Sequence, residues 1–152
     1  ITKQINNKQQ TTNNKETHKM YTTKVKQFSD ATIAEGCPLP IVPVFMKEDK
    51  IAFIRKMVND EMDELEEAKD LTEQADALVD AIYYICDTAV RHGMNLDPLF
   101  AIVHNANMQK VVNGKVIRNE IGKVQKPACW EDPAPILDAE VERQQLNGSW
   151  SE

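Results

Sequence analysis

The chain has few cysteines and no long hydrophobic run. Its three cysteines, Cys37, Cys86 and Cys129, lie far apart and form no C-x-x-C pair, which argues against a zinc or redox site and favours reduced thiols. No apolar stretch approaches the roughly 20 residues of a membrane span, and the polar N-terminal segment does not resemble a secretion signal. We therefore expect a cytoplasmic protein with no membrane partner.

The chain also has fewer basic residues than acidic ones. Lys and Arg number 18 against 24 Asp and Glu, which gives a net charge of −6 and an isoelectric point near 5.1. Such a chain offers no broad basic surface for a phosphate backbone, so we expect no nucleic-acid partner. A length of 152 residues with 41% hydrophobic residues suffices for one compact domain with a modest core.

The first part of the chain has too few apolar residues to fold. Residues 1–19 are almost entirely Asn, Gln, Lys and Thr, a composition that predicts a disordered tail or leader, and Met20 is a candidate natural start. We expect the folded domain to span residues 20–145. Residues 146–152 are expected to form a flexible C-terminus.

Apolar periodicity and helix-boundary signals predict an all-α domain. The expected helices cover residues 21–34, 48–69, 70–91, 96–111 and 133–145, and the D-x-x-E at residues 70–73 has the pattern of a capping box. Residues 113–130 contain two Gly-Lys turns and short β-prone runs, which predict a small hairpin or an ordered strap.

Glu61 interrupts the apolar stripe of the helix expected over residues 48–69. The other members of the stripe are Ile54, Val58, Leu65 and Ala68, and Glu64 lies at its edge. An ionised carboxylate that faces a packing surface is costly unless a cation or a donor compensates it. Glu61 therefore predicts either a metal site or a buried Lys or Arg partner, and the residues alone leave both open.

Four carboxylates can meet if this helix and the next form an antiparallel hairpin. Residues equidistant from the turn at Asp70 lie at the same height, because both helices rise about 1.5 Å per residue. This pairs Glu64 with Asp76, and Glu61 with Asp80. An all-oxygen cluster suits Mg²⁺, with Mn²⁺ as a substitute.

Two alternatives stay open for the second acidic helix. Glu73 competes with Asp80 for the fourth ligand position, although by height it faces Glu67. The acidic stripe also fits an ordinary solvated face opposite an apolar one. The stripe consists of Asp76, Asp80, Tyr83 and Asp87, and the apolar face of Ala75, Leu78, Ile82, Ile85 and Ala89.

Several segments, in order, resemble the all-α nucleoside triphosphate pyrophosphohydrolases of the MazG-like and phosphoribosyl-ATP pyrophosphohydrolase-like superfamily. They are VKQFSDATIAEGCPLP, MVNDEMDELEEA, ADALVDAIYY, AVRHGMNLDPLFAIVHNANMQK and NGKVIRNEIGKVQKPACWEDP. The resemblance implies an oligomeric, antiparallel four-helix bundle that hydrolyses a nucleoside triphosphate to a monophosphate and pyrophosphate. It makes Glu61, Glu64, Asp76 and Asp80 the metal ligands, with Glu61 and Glu64 catalytic. The usual E-x-x-D of the second helix is replaced here by Glu73-Asp76 or by the wider Asp76-Asp80.

The same resemblance suggests residues that contact the substrate. Asn107 and Lys110 share a helix face and are expected near the nucleotide or its phosphates. Lys123 and Lys126 lie in the strap that could close over phosphates, and Tyr83 could stack on a base, orient a carboxylate or simply pack.

The predicted function is Mg²⁺-dependent pyrophosphohydrolysis in nucleotide-pool house-cleaning, with a nucleoside triphosphate as the substrate. We expect a homodimer or a dimer of dimers, because the helices of one chain leave apolar surface uncovered. The alternatives are a phosphoribosyl-ATP pyrophosphohydrolase and a non-catalytic helical interaction module.

Overall fold

The structure, a computed structural model, describes residues 20–33 and 36–151. This part of the chain is helical and contains no strand, which confirms the all-α class. The predicted tail at residues 1–19 lies outside the described residues. The five helices are α1 (Tyr21–Thr32), α2 (Glu48–Glu67), α3 (Leu71–Arg91), α4 (Leu96–Met108) and α5 (Ala134–Asn147).

Helices α2 and α3 form an antiparallel hairpin, and the capping box opens α3. The Asp70 carboxylate accepts hydrogen bonds from the backbone N–H groups of Thr72 (2.8 Å) and Glu73 (2.9 Å). In return, Glu73 Oε2 accepts a hydrogen bond from the backbone N–H of Lys69 at 2.6 Å. These bonds satisfy donors that a helix N-terminus otherwise leaves free. The turn that sets the heights of the acidic residues is therefore well defined.

The face of α3 that packs within the chain differs from the predicted one. Leu78, Ile82 and Ile85 remain between 42% and 49% exposed. Helix α3 lies against both α1 and α2, and small side chains allow this close approach, whereas the larger aliphatic ones stay outside. The buried residues of α3 are Ala77, Ala81, Cys86, Thr88, Ala89 and Val90.

Residues 146–151, which belong to the segment predicted as a flexible C-terminus, contact the rest of the domain. Helix α5 continues to Asn147, and the buried Ser149 donates its backbone N–H to the carbonyl of Ile41 at 2.9 Å. Trp150 packs against a small core cluster that contains Val25 and Val90. The sequence gives no helical period here, so these tertiary contacts could not be seen in it.

The segment between α4 and α5 is an ordered strap with two isolated bridges, Val112 with Lys115 and Arg118 with Val124. Trp130 anchors it to α4, because its indole N–H donates to the carbonyl of Ala106 at 2.8 Å. Of the two predicted forms, a small hairpin or an ordered strap, the segment has the second, with isolated bridges in place of strands. No helix within residues 20–33 and 36–151 is both long and apolar enough to cross a membrane.

The N-terminus of α1 is capped by a residue of another helix. Asp97 of α4 accepts hydrogen bonds from the backbone N–H groups of Thr22 (3.0 Å) and Thr23 (3.1 Å) and from the Thr23 hydroxyl (2.5 Å). The residue at the cap position itself, Met20, has no side-chain acceptor. Asp97 thus fastens α1 to α4.

We expect Asp97→Ala to lower the free energy of unfolding by about 2 kcal/mol, because three donors lose a charged acceptor. Urea denaturation measures the change. The control is Asp138→Ala, which removes an exposed carboxylate from α5 and should leave stability nearly unchanged. Equal effects of the two substitutions would show that the cap contributes nothing.

Candidate active site

Glu61 is buried in the hairpin, as its place in the apolar stripe predicts. The side chain is only 6% exposed, and its Oε2 atom has no hydrogen-bond partner among the described residues. Burial raises the pKa of the Glu61 carboxyl, and the negative charges of Glu64 and Asp80 raise it further. Within residues 20–33 and 36–151, no Lys or Arg forms an ion pair with Glu61.

The three other predicted ligands lie near enough to Glu61 for their charges to act on its carboxyl. After Glu64 and Asp80, Asp60 and Asp76 also raise the pKa of Glu61 through their charge. Asp60 is already paired with Lys56 on the same helix. The remaining members, Glu64, Asp76 and Asp80, are exposed at the surface of the hairpin.

The carboxylates are near one another without forming a closed ligand set. Within the residues that the structure describes, no three acidic, histidine or cysteine side chains could hold one ion as they are placed. Glu61 is fixed by burial, whereas Glu64, Asp76 and Asp80 are exposed and can change rotamer. Binding of an ion therefore requires the three exposed carboxylates to turn toward Glu61.

The two candidates for the fourth ligand, Glu73 and Asp80, differ in their surroundings. The Glu73 carboxylate is engaged in the cap of α3 with the backbone of Lys69, and it is not among the charges that raise the pKa of Glu61. Asp80 has the second largest electrostatic effect on that pKa, after Glu64. Asp80 as the fourth ligand stays a prediction.

An open groove of about 540 Å³ lies on the turn side of the carboxylates. It is rich in acidic residues, but it also includes the exposed Lys69, a cation in the turn between α2 and α3. Sequence reasoning missed Lys69, since a lysine in a turn carries no signal until the hairpin is placed beside an acidic cluster. The lining residues are Glu64, Glu67, Ala68, Lys69, Glu73 and Asp76.

Tyr83 lies on the other side of Asp80, in a second groove of about 250 Å³. Its ring meets that of Phe28 from α1 edge to face, with centroids 6.1 Å apart. Phe28 was missed by sequence reasoning because nothing in its pattern shows that α1 packs beside the acidic helix. We call this second groove the aromatic groove; it is lined by Phe28, Asp80, Tyr83, Tyr84, Asp87 and Arg91.

The other predicted substrate contacts lie elsewhere in the chain. Asn107 and Lys110 are neighbours, with Lys110 Nζ donating to Asn107 Oδ1 at 2.8 Å, at the end of α4. Lys126 Nζ stands 3.8 Å from the centre of the Trp130 ring, and the Lys123 N–H donates to Asn119. None of the four lines either groove beside the carboxylates.

Comparison with known families agrees with this picture. Residues 41–107 match the family model for phosphoribosyl-ATP pyrophosphohydrolase, a segment that includes α2, α3 and the four carboxylates. The matched family belongs to the MazG-like all-α nucleoside triphosphate pyrophosphohydrolase superfamily, so the match supports the resemblance. The name of the matched family describes a pyrophosphohydrolase, a hydrolase of acid anhydrides. No match was found among the curated proteins.

Proposed function

We propose that this protein is a Mg²⁺-dependent nucleoside triphosphate pyrophosphohydrolase that cleaves between the α and β phosphates and serves in nucleotide-pool house-cleaning. The observation that carries the proposal is the buried, unpartnered Oε2 of Glu61 among three further carboxylates. Such a group is costly when it is ionised and has no cation beside it, and ion binding would offset that cost.

The residues that would hold Mg²⁺ are Glu61, Glu64, Asp76 and Asp80, all of them hard oxygen donors. When bound, Mg²⁺, or Mn²⁺ in its place, neutralises phosphate charge and lowers the pKa of a coordinated water. The buried Glu61 fixes the orientation of the ligand set. In this proposal Glu61 or Glu64 accepts the proton of the water that splits the anhydride, which yields one nucleoside monophosphate and one pyrophosphate.

Phosphates also require cations, and one protomer offers few beside the acidic groove. Lys69 lies there, whereas Asn107, Lys110, Lys123 and Lys126 do not line it. In our proposal, a second copy of the chain brings these groups to the groove. The exposed aliphatic face of α3 supports such an assembly, a homodimer or a dimer of dimers, because a helix packed in a bundle buries residues of this type.

Assembly through α3 can be tested by charging this face. We expect the double substitution Leu78→Glu and Ile82→Glu to convert an oligomer into monomers, as measured by light scattering after size exclusion, and to reduce turnover at least about tenfold. The control is Leu146→Glu, also at an exposed leucine but on α5. A wild-type protein that is monomeric at micromolar concentration would contradict the assembly.

The substrate itself is tested by pyrophosphate release from a panel of ribo- and deoxyribonucleoside triphosphates with Mg²⁺ or Mn²⁺. Phosphoribosyl-ATP belongs in the panel, because the matched family model carries that name. A kcat/KM for phosphoribosyl-ATP far above that for every free nucleotide would favour the second candidate. Absence of turnover with the whole panel, together with partner binding unaffected by Glu61→Gln and Asp80→Asn, would favour the non-catalytic module.

A further inference from the structure

The aromatic groove continues directly from the carboxylate cluster, because Asp80 belongs to both. Along α3 from Asp80, Tyr84 follows after about one turn and Asp87 after about two, which corresponds to distances of about 6 Å and about 10 Å along the helix axis. A nucleotide whose phosphates lie at Asp80 has room along these side chains for its sugar and base.

The walls of the aromatic groove expose apolar ring surface. Phe28 is 55% exposed and Tyr83 is 38% exposed, although their rings already contact each other. Their mutual contact fixes the orientation of both rings without covering their outer surfaces. A planar base placed against them would remove this surface from water and gain stacking energy.

The far end of the aromatic groove carries a polar pair held at two points. Asp87 accepts a hydrogen bond from the Ser29 hydroxyl at 2.9 Å and another from Arg91 Nε at 2.7 Å. The two Nη atoms of Arg91 have no hydrogen-bond partner within the described part of the chain. The pair therefore offers free N–H donors beside a carboxylate that retains acceptor capacity.

This combination distinguishes between bases. A base edge with an amino group beside a ring nitrogen or carbonyl acceptor, as in cytosine, can donate to the carboxylate and accept from the guanidinium. Uracil and thymine carry a carbonyl oxygen in place of that amino group, so their edge would set an acceptor against the Asp87 carboxylate. The unmet hydrogen bond and the repulsion disfavour them.

We propose that the aromatic groove binds the nucleobase of the substrate, with Phe28 and Tyr83 against its ring, and that Asp87 and Arg91 select a base with an exocyclic amino group. The inference rests on the proposed function, since it assumes phosphates at Asp80. It adds the specificity of that site, which neither the acidic cluster nor the family match provides.

The test compares CTP with UTP, which differ at the base edge alone, in steady-state kinetics with Mg²⁺. We expect wild type to prefer CTP at least about tenfold in kcat/KM, mainly through KM. Asp87→Asn should abolish or reverse the preference, mainly through KM, because the amide can donate to the uracil carbonyl. Tyr83→Leu should raise KM for both nucleotides about tenfold through loss of stacking.

Asp87 also ties α1 to α3, so a purely structural role needs its own control. Ser29→Ala removes the same interhelix hydrogen bond without altering the carboxylate that faces the groove. It should lower thermal stability and leave the CTP preference intact. Loss of preference in Ser29→Ala equal to that in Asp87→Asn would overturn the base-reading role.

Binding of CMP and UMP, measured by calorimetry, separates failure of this inference from failure of the proposed function. If wild type hydrolyses nucleotides, and Asp87→Asn and Tyr83→Leu have the same KM values and the same preference for CTP over UTP as wild type, the aromatic groove does not bind the base. The inference is then overturned. If wild type hydrolyses none, the proposed function fails. In that case, the inference about the aromatic groove would still be supported if wild type bound CMP more tightly than UMP and Asp87→Asn lost this difference. Equal binding of the two nucleotides, or no binding, would overturn the inference.

Discussion

Glu61→Gln is expected to reduce turnover by at least about 100-fold while making the metal-free protein more resistant to heat at neutral pH. The loss of turnover follows because the amide keeps the shape of the side chain but removes the charge that an ion requires. The gain in stability follows because the amide does not carry the cost of a buried, ionised and unpartnered carboxylate. Pyrophosphate release and thermal melting with EDTA measure the two effects.

The direction of the pH dependence comes from the raised pKa of Glu61. A folded-state pKa above the ordinary value of 4.5 means that the folded state holds this proton more tightly than the unfolded state. The stabilisation is complete below that ordinary pKa and is lost as the pH rises through the folded-state pKa. The stability advantage of Glu61→Gln over wild type should therefore be largest at neutral pH and vanish in acid.

The matched control is Glu66→Gln, which removes one negative charge from an exposed position of the same helix. It should leave both turnover and the pH dependence of stability close to wild type. A Glu61→Gln protein that retains full activity would refute the role of Glu61 in the site. If Glu61→Gln melted at a lower temperature than wild type at neutral pH, Glu61 would not be an uncompensated buried charge in the wild-type protein.

The second large effect is expected at the fourth ligand position. Asp80→Asn should reduce turnover at least about 100-fold and weaken Mg²⁺ binding, because Asp80 is close enough to Glu61 to raise its pKa. Glu73→Gln should keep near-wild-type turnover and only weaken the start of α3, where Glu73 bonds to the Lys69 backbone. Turnover and calorimetric Mg²⁺ titration of both variants make the comparison.

The opposite pattern, with activity lost in Glu73→Gln and kept in Asp80→Asn, would assign the fourth ligand to the narrower Glu73-Asp76 spacing. Loss of activity in both variants, with Mg²⁺ binding reduced in both, would mean that Glu73 leaves its cap to join the ligand set. Either result would revise the arrangement of carboxylates without removing the site.

The sequence was sufficient for the features that depend on local periodicity. Each predicted helix is present, the capping box at Asp70 forms, and the break in the apolar stripe at Glu61 corresponds to a buried carboxylate. Counting residues from the turn at Asp70 also placed Asp80 near Glu61, because this comparison requires only the rise per residue of the two helices.

The features that the sequence did not show depend on which helices meet. The large aliphatic residues of α3 suggested an inward face, yet close packing against α1 and α2 selected the alanine side instead. The aromatic groove depends on Phe28 of α1, which is far from Tyr83 in sequence. The folding of the chain end through Ser149 and Trp150 likewise rests on long-range contacts that no local pattern encodes.

The most direct test of the central claim is ³¹P NMR of a nucleoside triphosphate incubated with the wild-type protein and Mg²⁺. If the carboxylates of α2 and α3 act as proposed, the spectrum will show nucleoside monophosphate and pyrophosphate in equal amounts, and chelation of the metal will stop their formation. Release of a nucleoside diphosphate with inorganic phosphate would contradict the account. Formation of the products at an unchanged rate after chelation of the metal would also contradict it.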